Sequence, residues 1–201
     1  MSALFKSALA QAELLNRRQI SAVELMQDTL ARIKTINPQV NAIISLREEA
    51  DLLVQAAQAD KSSRTGWMHG LPIAIKDLHD VKDMPSSMGS AIFADYIAEK
   101  DDIAVARVRA AGAIIIGKTN TPEFGLGSHT YNPVHGTTYN PYDLSKSAGG
   151  SSGGAAAALS TRMLPLADGS DMMGSLRNPA AWNNVYGFRP SFGLVPSEPG
   201  A

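Results

Sequence analysis

The chain has 201 residues, 44% of them hydrophobic, which is enough apolar material for one ordinary buried core. With 18 basic against 19 acidic residues the formal charge is −1 and no basic patch stands out, so neither nucleic acid nor an anionic membrane is an expected partner. Cysteine is absent, which excludes disulfides, thiolate catalysis and cysteine-based metal sites.

No stretch approaches the ~18 apolar residues of a membrane span, and Met1–Lys6 opens no apolar run of signal-peptide length, so a cytoplasmic protein is expected. Residues 3–34 read as two helices. Leu4, Ala8, Ala12 and Leu15 share one face; after a break at Gln19-Ile20, Ser21 and Glu24 form a capping box ahead of Val23, Met26, Leu30 and Ile33. Asn37-Pro38 should end that segment. A short strand over 41–45 and a helix over 47–60 follow, then a loop over 62–66.

Gly70-Leu-Pro-Ile-Ala-Ile-Lys76-Asp77 is an apolar, β-branched run bounded by Gly and Pro, the pattern of a buried strand. A lysine at the end of such a strand is partly desolvated, and desolvation lowers its pKa toward the range where it acts as a base. A helix over 101–111 and a second buried strand over 113–117 come next. Gly112–Thr119 has the spacing of a phosphate-binding P-loop, but a P-loop follows a strand and opens a helix. Here a helix precedes, the would-be loop is itself β-branched, and Asn120-Thr121-Pro122 follows, so nucleotide binding is rejected.

From Glu123 to Lys146 the sequence has no clear period and reads as a long ordered loop of the kind that lines active sites. His129 and His135 within it have no acidic ligand close by and read as loop or pocket residues; no metal or cofactor is expected. A helix over 155–160, a short strand over 164–171 and a turn and strand over 187–195 complete the reading.

The chain is organised around Ser147-Ala-Gly-Gly-Ser151-Ser152-Gly-Gly154, echoed downstream by Asp171-Met-Met-Gly-Ser175. Glycines cost about 0.5–1 kcal/mol each inside a regular element, so they mark backbone that is left-handed or in close approach. Hydroxyls on such a backbone, with free N–H groups, suit an acyl group or an anion. A flexible linker is the plain alternative, and the helix that follows at once argues against it. Both Gly149–Gly153 and Gly150–Gly154 match Gly-x-Ser-x-Gly, but that hydrolase order is serine, acid, histidine, and all four histidines precede Ser151. A lysine relay uses what is present: Lys76 takes a proton from one serine, which takes one from a second serine that attacks a carbonyl.

Four stretches, Gly70–Asp77, Gly117–Phe124, Gly149–Gly154 and Gly169–Ala180, in this order and spacing closely resemble the amidase signature family. The resemblance implies an α/β fold, a mixed β-sheet core flanked by helices, carrying a Ser–cis-Ser–Lys triad that hydrolyses small-molecule amides without a cofactor. Motif by motif it makes Ser175 the acyl-forming nucleophile and Ser151 the bridging serine on a cis peptide. Lys76 becomes the base, and its conjugate acid returns the proton to the leaving amine. The N–H groups of Met172, Met173, Gly174 and Ser175 become the oxyanion hole, Asp171 and Arg177 the loop braces, and Gly125 a substrate-contacting position. Met173 stands where the family pattern has glycine; its φ is expected not to be positive, with its side chain narrowing the pocket.

Family members run to well over twice this length, whereas this chain ends at Glu198–Ala201. The expectation is a single incomplete domain, the N-terminal part only, with helices over 1–60 and a catalytic core over 67–201. Such a piece would expose core surface, form homo-oligomers or other associations through it, and be inactive as it stands. Besides a stand-alone amidase, two readings stay open: a glutaminase-type A subunit of a tRNA-dependent amidotransferase, and an inactive binding or assembly module.

Overall fold

The Ser21 hydroxyl accepts from the Glu24 N–H while the Glu24 carboxylate accepts from the Ser21 N–H, so the expected capping box is formed. It starts α2 (Ala22–Val40), which follows α1 (Ala8–Asn16). Two more of the unpaired N–H groups at the head of α2, those of Ala22 and Val23, are taken by the Asp60 carboxylate near the end of α3 (Glu49–Lys61), at 2.7 and 3.2 Å. This is a computed structural model describing residues 2–196; Met1 and residues 197–201, which include the chain end at Glu198–Ala201, lie outside the described residues.

Three strands make the central sheet in the order β1-β3-β2: β1 (Ile43–Ile44), β2 (Pro72–Lys76) and β3 (Ile114–Thr119). β1 runs antiparallel and β2 parallel to β3, so the sheet is mixed, as expected for this fold class. Every residue of β2 and β3 is buried. Side-chain alternation divides them between two cores. Ala74, Ile114 and Ile116 face Met26, Leu30, Ile33 and Leu52 of α2 and α3, together with Ala157 of α5 (Gly153–Ser160). Ile73, Ile75 and Ile115 pack on the other side with Leu25, Leu71 and Val105, the last from α4 (Ile103–Ala110).

Five local expectations fail, each for an identifiable reason. α2 does not stop at Asn37-Pro38 but runs to Val40. The Asn37 side chain accepts from the N–H groups of Ala42 and Ile43 and donates to the Ile43 carbonyl, and Val40 is buried in the core. Those bonds hold the last turn in spite of the proline. The stretch from Glu123 to Lys146 carries two small hairpins, β4 (Tyr131–Asn132) with β5 (Gly136–Thr137) and β6 (Tyr139–Asn140) with β7 (Asp143–Ser147). The two-residue strands are too short to print an alternation on the sequence, and β7 is exposed along most of its length, so it carries no apolar alternation either.

No strand forms over 164–171. Ala167 makes an isolated parallel bridge to Ala74, and the next acceptor along β2 is a side chain, Asp168, which takes the Lys76 N–H. No strand forms over 187–195 either; Phe188, Phe192, Leu194 and Val195 lie exposed there. Finally, α6 (Arg177–Trp182) was not foreseen. Pro179 falls in its first turn, where a proline forfeits no hydrogen bond.

Gly154 shows how tightly α5 is pressed on the sheet. A Cβ there would sit 2.3 Å from the Asn120 nitrogen and 2.6 Å from the Ala42 carbonyl oxygen, both backbone atoms. Gly154→Ala should therefore cost about 1–3 kcal/mol, read in a thermal melt as a midpoint lowered by roughly 2–4 °C for each kcal/mol. An unchanged midpoint would mean that this contact is looser than described.

Candidate active site

Lys76 closes β2 with its side chain wholly buried, under a strand whose other residues are apolar. Its Nζ lies 2.7 Å from Ser151 Oγ, 2.9 Å from Ser152 Oγ and 2.9 Å from Ser170 Oγ. As an ammonium it donates to all three hydroxyls; as a neutral amine it has two protons to give and one lone pair to accept an O–H. Burial lowers its pKa from the ordinary lysine value to about 7, against the opposing pull of Asp168 and Asp171. The desolvated strand-end lysine inferred from the apolar run is thus what the fold contains.

Ser151 and Ser152 lie between β7 and α5, both buried, and the Gly150–Ser151 peptide is cis. The glycines around them make room for backbone. A Cβ on Gly150 would lie 2.9 Å from the His129 nitrogen, and Gly149 has φ +83° with Trp182 close against it. The Ser152 N–H donates to the Ser175 carbonyl at 2.9 Å, which ties the second serine loop to the first. Ser175 itself is half-buried at the end of Asp171–Ser175.

That loop is built on the Asp171 carboxylate. It accepts from the N–H groups of Gly174, Leu176 and Arg177, and from Arg177 Nε and Nη2 at 2.9 and 3.0 Å, with Arg189 Nε 3.5 Å away. The Arg177 guanidinium and these N–H groups hold the Asp171 carboxyl well below the usual carboxylate range. The Gly174 N–H, expected to face the substrate, is turned inward to Asp171. Those of Met172, Met173 and Ser175 have no partner among the described residues. The left-handed residue is Gly174 at φ +109°, while Met173 keeps an ordinary φ. Both methionine side chains are exposed. Gly125 (φ +69°) packs on Leu78, two residues beyond Lys76.

Three further groups on Lys76 were not picked out from the sequence. Ser152 and Ser170 complete the hydroxyl shell, and Asp168 accepts the Lys76 N–H at 2.6 Å. The runs Ser-Ser and Asp-Gly-Ser-Asp held the signal, but nothing local says which member points inward. Lys118, from the false P-loop, is also explained. It lies in β3, fully buried, with Nζ 3.1 Å from Asp77 and donating to the His79 carbonyl at 2.7 Å. His135 sits 3.0 Å from Ser87 and His129 lies against Trp182, so the two histidines are apart in role as well as in sequence.

The family model for amidases matches residues 24–201. This chain belongs to the amidase family. It is 46% identical to the glutamyl-tRNA(Gln) amidotransferase A subunit of Coxiella burnetii, over 90% of this chain and 38% of that protein. It is 41% identical to indoleacetamide hydrolase of Bradyrhizobium diazoefficiens, over 97% of this chain and again 38% of the relative. Among solved structures, a bacterial aryl acylamidase of the amidase signature enzymes superposes with a TM-score of 0.90 at 34% identity, covering 96% of this chain and 41% of that one. The chain therefore spans well under half the length of these amidase relatives.

Because one carboxylate orders the whole 171–177 turn, Asp171→Ala should release several N–H groups at once. Hydrogen bonds to a charged group contribute about 1.5–3 kcal/mol each, so amide exchange at Gly174, Leu176 and Arg177 should accelerate by at least about tenfold. Exchange at β3 amides serves as the internal reference.

Proposed function

We propose that this chain carries the acylating machinery of an amidase, cleaving a small-molecule carboxylic amide to acid plus ammonia or amine through an acyl-enzyme on Ser175. The observation that carries the reading is the buried Lys76 amine, 2.7 Å from Ser151 Oγ and with its pKa brought to about 7. A base so placed has the protonation balance that general catalysis near neutral pH asks for.

In this mechanism Ser175 Oγ attacks the amide carbon as its proton passes to Ser151, whose own proton passes to Lys76 Nζ. The oxyanion is stabilised by the free N–H groups of Met172, Met173 and Ser175, while Gly174 and the Asp171–Arg177 pair hold the loop in shape. The C–N bond breaks as Lys76, through Ser151, returns a proton to the leaving nitrogen. Water then attacks the ester along the same proton path, releasing the acid and restoring Ser175. Ser152 and Ser170 keep Nζ aimed at Ser151 throughout, and no cofactor takes part.

The chain is read as a single incomplete domain, helices over 1–60 and a catalytic core over 67–201, in a cytoplasmic protein with no nucleic-acid or membrane partner of its own; no helix among the described residues is long and apolar enough to cross a membrane. The exposed apolar side chains after residue 171, among them Met172, Met173, Tyr186 and Phe192, fit association with further polypeptide or a second copy. The identity to an amidotransferase A subunit favours a second reading, a glutaminase-type subunit working in a complex. Glutamine turnover would select that reading, and turnover of aryl or aliphatic amides the first.

A fluorophosphonate reagent should label Ser175 in the purified chain, with no label in Ser175→Ala and a rate reduced roughly 10²–10⁴-fold in Lys76→Met. Label found on another residue, or equal labelling of Lys76→Met, would refute the assignment. Since the base works as the neutral amine, the labelling rate should rise with pH through an apparent pKa of about 7 and level off above it.

A further inference from the structure

Lys76 feels two carboxylates, Asp168 and Asp171, and Asp171 is already engaged by Arg177 and Arg189. Asp168 is held differently. Its Oδ1 accepts the Lys76 N–H at 2.6 Å, and its Oδ2 lies 3.9 Å from His79 Nε2. On the far side of the ring, His79 Nδ1 lies 3.2 Å from Asp102 Oδ2. Asp102, at the head of α4, is itself fixed by accepting the Asp80 N–H. The imidazole thus stands between two carboxylates, half-open to solvent, at the outer end of a line that leads to the buried amine.

A neutral imidazole carries one N–H and can serve only one of these carboxylates, whereas an imidazolium serves both. The other charged groups around the line are few. Lys118 of β3 donates to the His79 carbonyl and pairs with Asp77, and the Tyr96 hydroxyl donates to Asp80. We infer that His79 keeps Asp168 ionised and that Asp168 in turn sets the charge of Lys76, which makes both of them positioning residues of the site. Burial pushes the Asp168 carboxyl up, and His79 opposes that rise, as does the Lys76 N–H. An ionised Asp168 pulls Lys76 up against its own burial. Losing either group should therefore leave Lys76 easier to deprotonate.

The inference bears on the amidase mechanism only if Lys76 is the base, but the charge of Lys76 can be read without any turnover. In the full chain labelled with ¹³C-lysine, the Lys76 Cε resonance is assigned by its loss in Lys76→Met and followed from pH 5 to 9. Asp168→Asn keeps an acceptor for the Lys76 N–H and removes the charge; it should move the Lys76 midpoint down by roughly one pH unit. His79→Gln should move it the same way in the parent chain, but by less than about 0.3 pH unit in the Asp168→Asn background, because it acts through Asp168. An unmoved midpoint in Asp168→Asn, or an equal His79→Gln displacement in both backgrounds, overturns the inference. If Asp168→Asn fails to fold, His79→Gln decides alone, and an unchanged Lys76 titration refutes the coupling. Displaced titration without Ser175 labelling would uphold this coupling and remove the hydrolytic reading; labelling with undisplaced titration would do the reverse.

Discussion

An amine with no exposure to water is the constraint around which this fold is arranged. Moving an ammonium into a protein interior carries a penalty of several kcal/mol unless polar partners replace its hydration. For Lys76 the partners come from segments far apart in the chain: β2 supplies the lysine, the turn before α5 supplies Ser151 and Ser152, and the segment beyond the Ala167 bridge supplies Ser170. Each segment must be in place for the others to be tolerable.

A second buried lysine one register position away makes the chemistry of the first clearer. Lys118 pairs across the sheet with Ile75, beside the Lys76–Thr119 pair, and is as deeply buried as Lys76. It has a carboxylate 3.1 Å from its ammonium. Lys76 instead meets hydroxyls, with no carboxylate at ion-pair distance among the described residues. An amine bonded to neutral donors and acceptors can lose its proton without stranding a buried anion, while one locked to a carboxylate cannot. The same sheet therefore holds one lysine suited to structure and one suited to proton transfer, separated only by what faces them.

The two serine loops show a related division of labour. In the first, glycines let backbone approach backbone, so that Ser151 and Ser152 reach the amine. In the second, Asp171 gathers three N–H groups and a guanidinium, which shapes the turn and leaves the neighbouring N–H groups of Met172, Met173 and Ser175 unpaired among the described residues. The Ser152–Ser175 backbone bond joins the loops. Around them large apolar side chains stay exposed, in a chain that covers 38% of its amidotransferase and hydrolase relatives.

Much of this was legible in the residues alone. The apolar run ending at Lys76, the capping box at Ser21 and the Gly/Ser stretch each state a local physical preference strong enough to survive folding: burial, orphan N–H groups and close backbone approach. What failed was pattern reading where a side-chain bond, near or distant, or a helix-end position overrules it. Asn37 holds a helix past a proline, Asp168 takes a strand's place as acceptor, and Pro179 sits where no N–H is needed. The sequence by itself determined that a buried strand ends in a lysine and that two serine-bearing loops follow it. Only the tertiary structure decided which hydroxyls meet the amine and which N–H groups of the 171–175 turn are spent on Asp171. Only there, too, does His79 come to stand between two carboxylates; like the Lys76–hydroxyl contacts, these join residues whose separation along the chain says nothing about their distance in space, whereas the choice of N–H groups on Asp171 turns on the shape of its own short loop.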